Sequence, residues 1–304
     1  VKKHKIGWLN VLGHVPQTWN PIVGCSKISE GCRNCYAERM AFRLAMMSLK
    51  NPEEALCAYR KAICNCKWTG QTYLVKSALE KPLHWKKPRA IFVNSMGDLF
   101  HENTSVLEID EVFRIIRQCP QHLFIVLTKR SERMMEFFQR HYKTPIQNLW
   151  LGVTAENQAA ADERIPHLLN TPAAVRFVSC EPLIGDIDLC IPVGCRSCNH
   201  PGNVRQREGC TRCGGSGREP TLDWVICGGE SGPGARPMNP EWARSLRGQC
   251  ISADVHFFFK QWGDAECNEQ CQWNAGRLGE KHGGDELDER LWHEFPIIGK
   301  GGAQ

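Results

Sequence analysis

No apolar run in the 304-residue chain reaches the roughly 18 positions that a membrane-spanning helix requires. The opening stretch Val1–Asn10 likewise lacks an apolar signal segment. Both absences predict a soluble, cytoplasmic protein with no membrane partner. Charge of one sign is scarce too: 38 Lys and Arg against 33 Asp and Glu leave a net +5. That balance permits a polyanionic partner without demanding one. Cysteine, by contrast, is abundant, with 17 in the chain. An odd count in a long chain without a signal segment argues against a secreted disulfide scaffold. Metal ligation in a reducing compartment fits better. Hydrophobic residues at 42% and charged residues at 23% allow a substantial buried core.

Apolar runs of strand length recur at Thr18–Gly24, Ala90–Ser95, Leu123–Thr128, Leu149–Val153, Val175–Ser179, Trp224–Cys227 and Val255–Phe259. Helix-length amphipathic segments lie between them, at Cys32–Leu49, Val106–Cys119, Glu132–His141, Gln158–Leu169 and Pro240–Cys250. Ser131 and Asn239 are suited to cap the third and fifth helices, and Pro240 to a first helical position. Strand–helix alternation with continuous apolar strands predicts a parallel α/β sheet, as a complete or partial (β/α) barrel. An open doubly wound sheet is the alternative. The barrel is assigned to residues 1–189 and 223–263. Residues 51–87 and 190–222 break the rhythm and read as insertions, and 264–304 as a polar, Gly-rich tail.

Between the first strand and first helix lies Cys25-x6-Cys32-x2-Cys35. Three thiolates on one loop can hold three irons of a [4Fe–4S] cube and leave the fourth iron open. That vacancy is what radical S-adenosylmethionine (SAM) chemistry needs, because SAM chelates the open iron before its sulfonium is reductively cleaved. A zinc site borrowing His14 as a fourth ligand is the competing reading. Position after a first strand favours a ligand site, since α/β folds bind ligands beyond the carboxyl ends of strands.

The stretch T-W-N-P-I-V-G-C-S-K-I-S-E-G-C-R-N-C-Y-A-E resembles the phage-associated radical SAM-like family, phage gene products related to spore photoproduct lyase. The resemblance continues through R-A-I-F-V-N-S-M-G-D-L-F-H, L-T-K-R, L-G-V-T-A-E-N, R-F-V-S-C-E-P-L-I-G-D-I-D-L, W-V-I-C-G-G-E-S-G-P-G-A-R-P-M and F-F-F-K-Q-W-G, roughly Thr18–Gly263. It implies a radical SAM barrel, a [4Fe–4S] cluster, SAM, an electron donor such as flavodoxin or ferredoxin, and residence in a host cytoplasm. The commonest radical SAM pattern has three residues between its first two cysteines and an aromatic before the third. Here the gap is six and Tyr36 follows the third.

A barrel places the residues that follow each strand at the active site. For the second strand these are Ser95 and Asp98, candidates for the SAM amino group, with helix capping the plain alternative for Asp98. Lys129 follows the third strand and could meet a SAM carboxylate or substrate phosphate. Glu156 and Asn157 follow the fourth and are candidates for the ribose hydroxyls. Cys180 and Glu181 end the fifth, and Lys260 the seventh. These three are the candidate catalytic, substrate-facing set, in which Cys180 is either a hydrogen donor or a small core residue. Gly228, Gly229 and Glu230 follow the sixth strand, where glycine lets backbone approach an adenine closely.

Cys195-x2-Cys198 and Cys210-x2-Cys213 make a four-thiolate set of structural-zinc spacing. Arg196, Arg205, Arg207, Arg212 and Arg218 surround it against only Glu208 and Glu219, a local excess suited to phosphate. Cys57, Cys64, Cys66, Cys267 and Cys271 receive no role. Radical-initiated modification or repair of a nucleobase or nucleotide is the leading expectation. A non-catalytic, metal-braced nucleic-acid binder and a radical SAM enzyme acting on a peptide or small metabolite are the alternatives.

Overall fold

A computed structural model describes residues 6–191, 221–265 and 283–296. Seven parallel strands form its sheet: β1 (Val15–Trp19), β2 (Arg89–Val93), β3 (Leu123–Thr128), β4 (Leu149–Thr154), β5 (Val175–Cys180), β6 (Trp224–Gly228) and β7 (His256–Gln261). Each strand pairs with the next in sequence, as in Trp19 with Val93, Val93 with Val126, and Val126 with Leu151. The order has no reversal, whereas a doubly wound sheet has a switch point. The strands therefore wind as in a partial β/α barrel, with β1 and β7 as the outermost strands, and residues 292–294 bridging to β7 at Phe258.

Three helices precede β2: α1 (Tyr36–Met47), α2 (Glu54–Ala62) and the short α3 (Lys76–Leu79). Among the described residues four more follow it: α4 (Val106–Gln118), α5 (Ser131–His141), α6 (Gln158–Leu169) and α7 (Pro240–Ala253). Side-chain alternation along the strands separates two apolar layers. Ile91, Val93, Phe124, Val126, Val153, Val178, Val225 and Phe257 face one way and pack with α4 to α7. Ala90, Phe92, Ile125, Trp150, Phe177, Trp224 and Phe258 face the other way and meet Trp8 and Leu9 from the amino-terminal turn. No residue of α4 to α7 enters this second layer. Trp8 lies edge-on to Phe92 at 4.9 Å and to Trp224 at 6.3 Å, so the turn fills the lumen below the site.

The expected elements form, with corrections at their ends. The first strand stops at Trp19, and Ile22–Val23 turns away to pair with Tyr73–Leu74. Pro21 lies at the break, and its carbonyl accepts from the Val75 N–H as the chain turns toward residues 73–74. The first helix begins at Tyr36 rather than Cys32. Ser131 is the first residue of α5 and not its cap, because its hydroxyl is bonded to His167 Nδ1 at 2.9 Å. Asn239 does cap α7, accepting from the Glu241 N–H, with Pro240 at the first position. Residues 51–87 are more ordered than an irregular insertion. Ala58 and Tyr59 of α2, Val75, and Ala78 of α3 pack against Ala41 and Ala45 of α1.

Candidate functional site

The cysteine loop, residues 24–35, lies across the carboxyl ends of the strands. Gly24 turns the chain into it at φ +109°, where an added Cβ would lie 2.1 Å from the Gln71 carbonyl oxygen. Three buried carboxylates, one after each of β2, β4 and β6, then anchor the loop.

Asp98 is the first. Its Oδ1 accepts from Phe100 N–H (3.0 Å) and Thr128 Oγ1 (2.7 Å), and its Oδ2 from Lys129 N–H (3.3 Å) and Arg130 Nη1 (3.0 Å). Arg130 in turn donates from Nη2 to Ser26 Oγ at 2.7 Å and from Nη1 to Cys25 Sγ at 3.8 Å. Ser26 Oγ also meets His101 Nε2 at 2.9 Å. His101 Nδ1 accepts from Asn103 N–H, which leaves Nε2 as the protonated nitrogen and donor.

Glu156 is the second anchor. It takes Lys129 Nζ at 2.9 Å and Arg164 Nη1 at 3.0 Å, and receives Gly31 N–H at 3.4 Å. Burial alone would push this carboxyl up, but Lys129, Arg164 and a hydrogen bond from Ser29 outweigh it and hold the pKa at about 2.

Glu230 is the third. Arg236 clamps it through Nε (2.9 Å) and Nη2 (2.7 Å), and Asn34 Nδ2 donates to it at 3.0 Å. Arg236 Nη2 reaches on to the Glu30 carbonyl at 3.1 Å. The loop is thus tied at Cys25–Ser26, at Ser29–Gly31 and at Asn34, beside each of its three cysteines.

Cys25, Cys32 and Cys35 are partly buried and form no disulfide. Burial pushes the Cys25 thiol up to about 12; Asp98 adds to this, Arg130 opposes it, and Cys35 and Cys32 raise it further. Burial raises Cys35 as well, against the N–H groups of Glu38 and Ala37 at the start of α1, which favour its thiolate. Among the described residues, no three His, Cys, Asp or Glu side chains are grouped to hold a single metal ion. Three thiols on one loop are the kind of donor an iron–sulfur cluster uses. His14 precedes β1, at the opposite end of the strand from Cys25, and its Nδ1 is 3.2 Å from the Leu12 carbonyl. It cannot complete a zinc site with these cysteines.

Several expected ligand contacts are taken up internally. Asp98 and Glu230 have their oxygens engaged as above, and Lys129 is spent on Glu156. Asn157 caps α6, accepting from Ala160 N–H at 3.0 Å. Ser95 Oγ bonds Asn20 Oδ1 at 3.2 Å, while the Ser95 carbonyl accepts from Tyr36 OH at 2.7 Å. Gly229 admits the backbone of Trp262, not a ligand, since an added Cβ would sit 1.7 Å from that carbonyl oxygen. Cys180 and Cys227 lie fully buried in the helix-facing layer, where burial raises both thiols. That placement suits packing rather than hydrogen donation at the mouth.

Glu181 and Lys260 do come together. Lys260 Nζ meets Glu181 Oε1 at 2.6 Å, and Ser179 Oγ donates to Oε2 at 3.0 Å. The pair crosses β6 above Gly228, where a Cβ would lie 3.0 Å from Glu181 Oε1. Asn94, buried at the end of β2, leaves its Nδ2 without a partner. Sequence patterns assign no role to Ser26, Asn34, Asn94, His101, Arg164 or Arg236. All but Arg164 are polar residues within the family-like blocks, but no spacing rule marks them. Cys195, Cys198, Cys210, Cys213, Cys267 and Cys271 lie outside the described residues. Cys57, Cys64 and Cys66 are partly buried or exposed, and none joins a metal-binding group.

A family profile described as "Protein of unknown function (DUF5131)" matches residues 5–296, nearly the whole chain. The chain belongs to this DUF5131 family. No curated protein and no solved structure matches it. Among the described residues, no helix is long and apolar enough to cross a membrane.

Proposed function

We propose that the protein is a radical SAM enzyme acting on a nucleobase or nucleotide, with Cys25, Cys32 and Cys35 as the ligands of a [4Fe–4S] cluster. The observation that carries this reading is the suspension of three thiols, on one loop, over the mouth of a parallel half-barrel by three separate carboxylate anchors. Such rigid placement of a thiolate trio is the preorganisation a metal centre needs. Resemblance of the surrounding blocks to the phage-associated radical SAM-like family supports the same chemistry. A bound cluster would supply the electron that cleaves the sulfonium of SAM, itself replenished by a flavodoxin- or ferredoxin-type donor.

The chain's own residues bind and orient. With Asp98, Glu156 and Glu230 committed to the loop, Glu181 and Lys260 are polar groups left at the strand ends. Lys260 retains donors and Glu181 retains acceptors. Together these suit a ligand edge carrying both donors and acceptors, as nucleobases do. Zinc at Cys195, Cys198, Cys210 and Cys213, amid arginines suited to phosphate, is part of the proposal on sequence spacing alone.

Anaerobic reconstitution with iron and sulfide, then incubation with SAM and dithionite, tests the reading. Wild type should release 5′-deoxyadenosine and Cys32→Ala should not. Release by neither protein would favour the non-catalytic, metal-braced binder.

A further inference from the structure

We infer that Arg130 sets the reduction potential of the metal group held at Cys25, as a positioning residue acting through that sulfur. This rests on the cluster reading above. Arg130 hydrogen-bonds directly to a cysteine of the trio, Nη1 to Cys25 Sγ at 3.8 Å. Its side chain is only 5% exposed. It has no freedom to swing away, because Nε is held by Glu102 Oε1 at 2.8 Å, Nη1 by Asp98 Oδ2 at 3.0 Å, and Nη2 by Ser26 Oγ at 2.7 Å and the Ser26 carbonyl at 3.4 Å. Ser26 is fixed from its other side by His101. A guanidinium clamped so firmly presents a constant positive charge to one ligand sulfur.

Charge and hydrogen bonds at the sulfurs are the protein's means of tuning such a centre. One electron taken up from dithionite adds one negative charge to the cluster, with no bond made or broken. A fixed cation beside Cys25 favours that reduced form, and Asp98 beside it disfavours it. Glu102 weighs less because its side chain is 61% exposed and screened by water. Removing the guanidinium leaves Asp98 unopposed in a buried site, so the effect exceeds loss of one hydrogen bond.

The test is a dithionite titration of the reconstituted full chain, followed by the electron paramagnetic resonance of the reduced cluster. Arg130→Gln should lower the one-electron reduction constant at least tenfold, a fall of about 59 mV in midpoint. Arg130→Lys, which keeps the charge, should recover most of that loss. Asp98→Asn should move the midpoint the opposite way, upward. A loop merely loosened by missing contacts would shift Arg130→Gln and Asp98→Asn in the same direction, and that result overturns the inference. So does an Arg130→Gln cluster whose reduction constant stays within about threefold of wild type. Should Arg130→Gln take up no iron, Asp98→Asn decides: an upward shift supports the assignment, and an unchanged or lowered midpoint refutes it. Failure of wild type itself to form a cluster is a different outcome and removes the reading beneath.

Discussion

Replacing Glu156 with glutamine tests how much the loop anchors stabilise the fold. The side chain is 1% exposed and lies between Lys129 and Arg164, so the substitution keeps shape but strands two cations against a neutral amide. The carboxyl pKa falls from its ordinary 4.5 to about 2 on folding. At about 1.36 kcal/mol per pH unit, that difference is worth about 3 kcal/mol. Breaking a buried ion pair from one side independently suggests about 3–5 kcal/mol. Because the folded pKa is depressed, the contribution is complete above pH 4.5 and is lost as pH falls toward 2. Urea unfolding of wild type and Glu156→Gln should therefore differ by about 3 kcal/mol at pH 7, with the difference shrinking below pH 4.5. A gap under about 1 kcal/mol at neutral pH, or one that stays constant on acidification, would refute the reasoning.

Other substitutions separate the scaffold from the site. Gly229→Ala must displace the Trp262 carbonyl, so β6 and β7 should part and soluble yield collapse, or stability should fall by at least about 3 kcal/mol in thermal unfolding. Ser105→Ala removes half of the capping box with Glu108 at the start of α4 and should cost about 1 kcal/mol, with iron uptake unchanged. Loss of iron binding in that variant would show that the loop senses the scaffold far more globally than the three local anchors imply.

The seven strands and their parallel α/β alternation were legible in the sequence because continuous apolar strands and periodic helices each obey one local rule. A strand buried on both faces needs no polar–apolar alternation to be found, only an apolar run such as Leu123–Thr128, which keeps the same bounds in the fold. Local rules also placed the Asn239 and Pro240 start of α7. They failed where a long-range partner decides the outcome. Ser131 looks like a cap but binds His167, and Thr18–Gly24 looks like one strand although Pro21 and the pairing of Ile22 with Leu74 divide it. The candidate site shows the same limit. Asp98, Glu156 and Glu230 stand at strand ends as a ligand-binding reading expects, but their oxygens go to Arg130, Lys129, Arg164 and Arg236. Which cation anchors each carboxylate depends on residues 6 to 32 positions away, which the strand-end rule does not register.

One spectrum tests the catalytic account most directly: the electron paramagnetic resonance of the reduced, reconstituted protein recorded before and after SAM is added. Three protein sulfurs leave one iron for the SAM amino and carboxylate groups, so the signal should change on addition. An iron–sulfur signal indifferent to SAM, or no such signal in protein whose three thiols are intact, would contradict it.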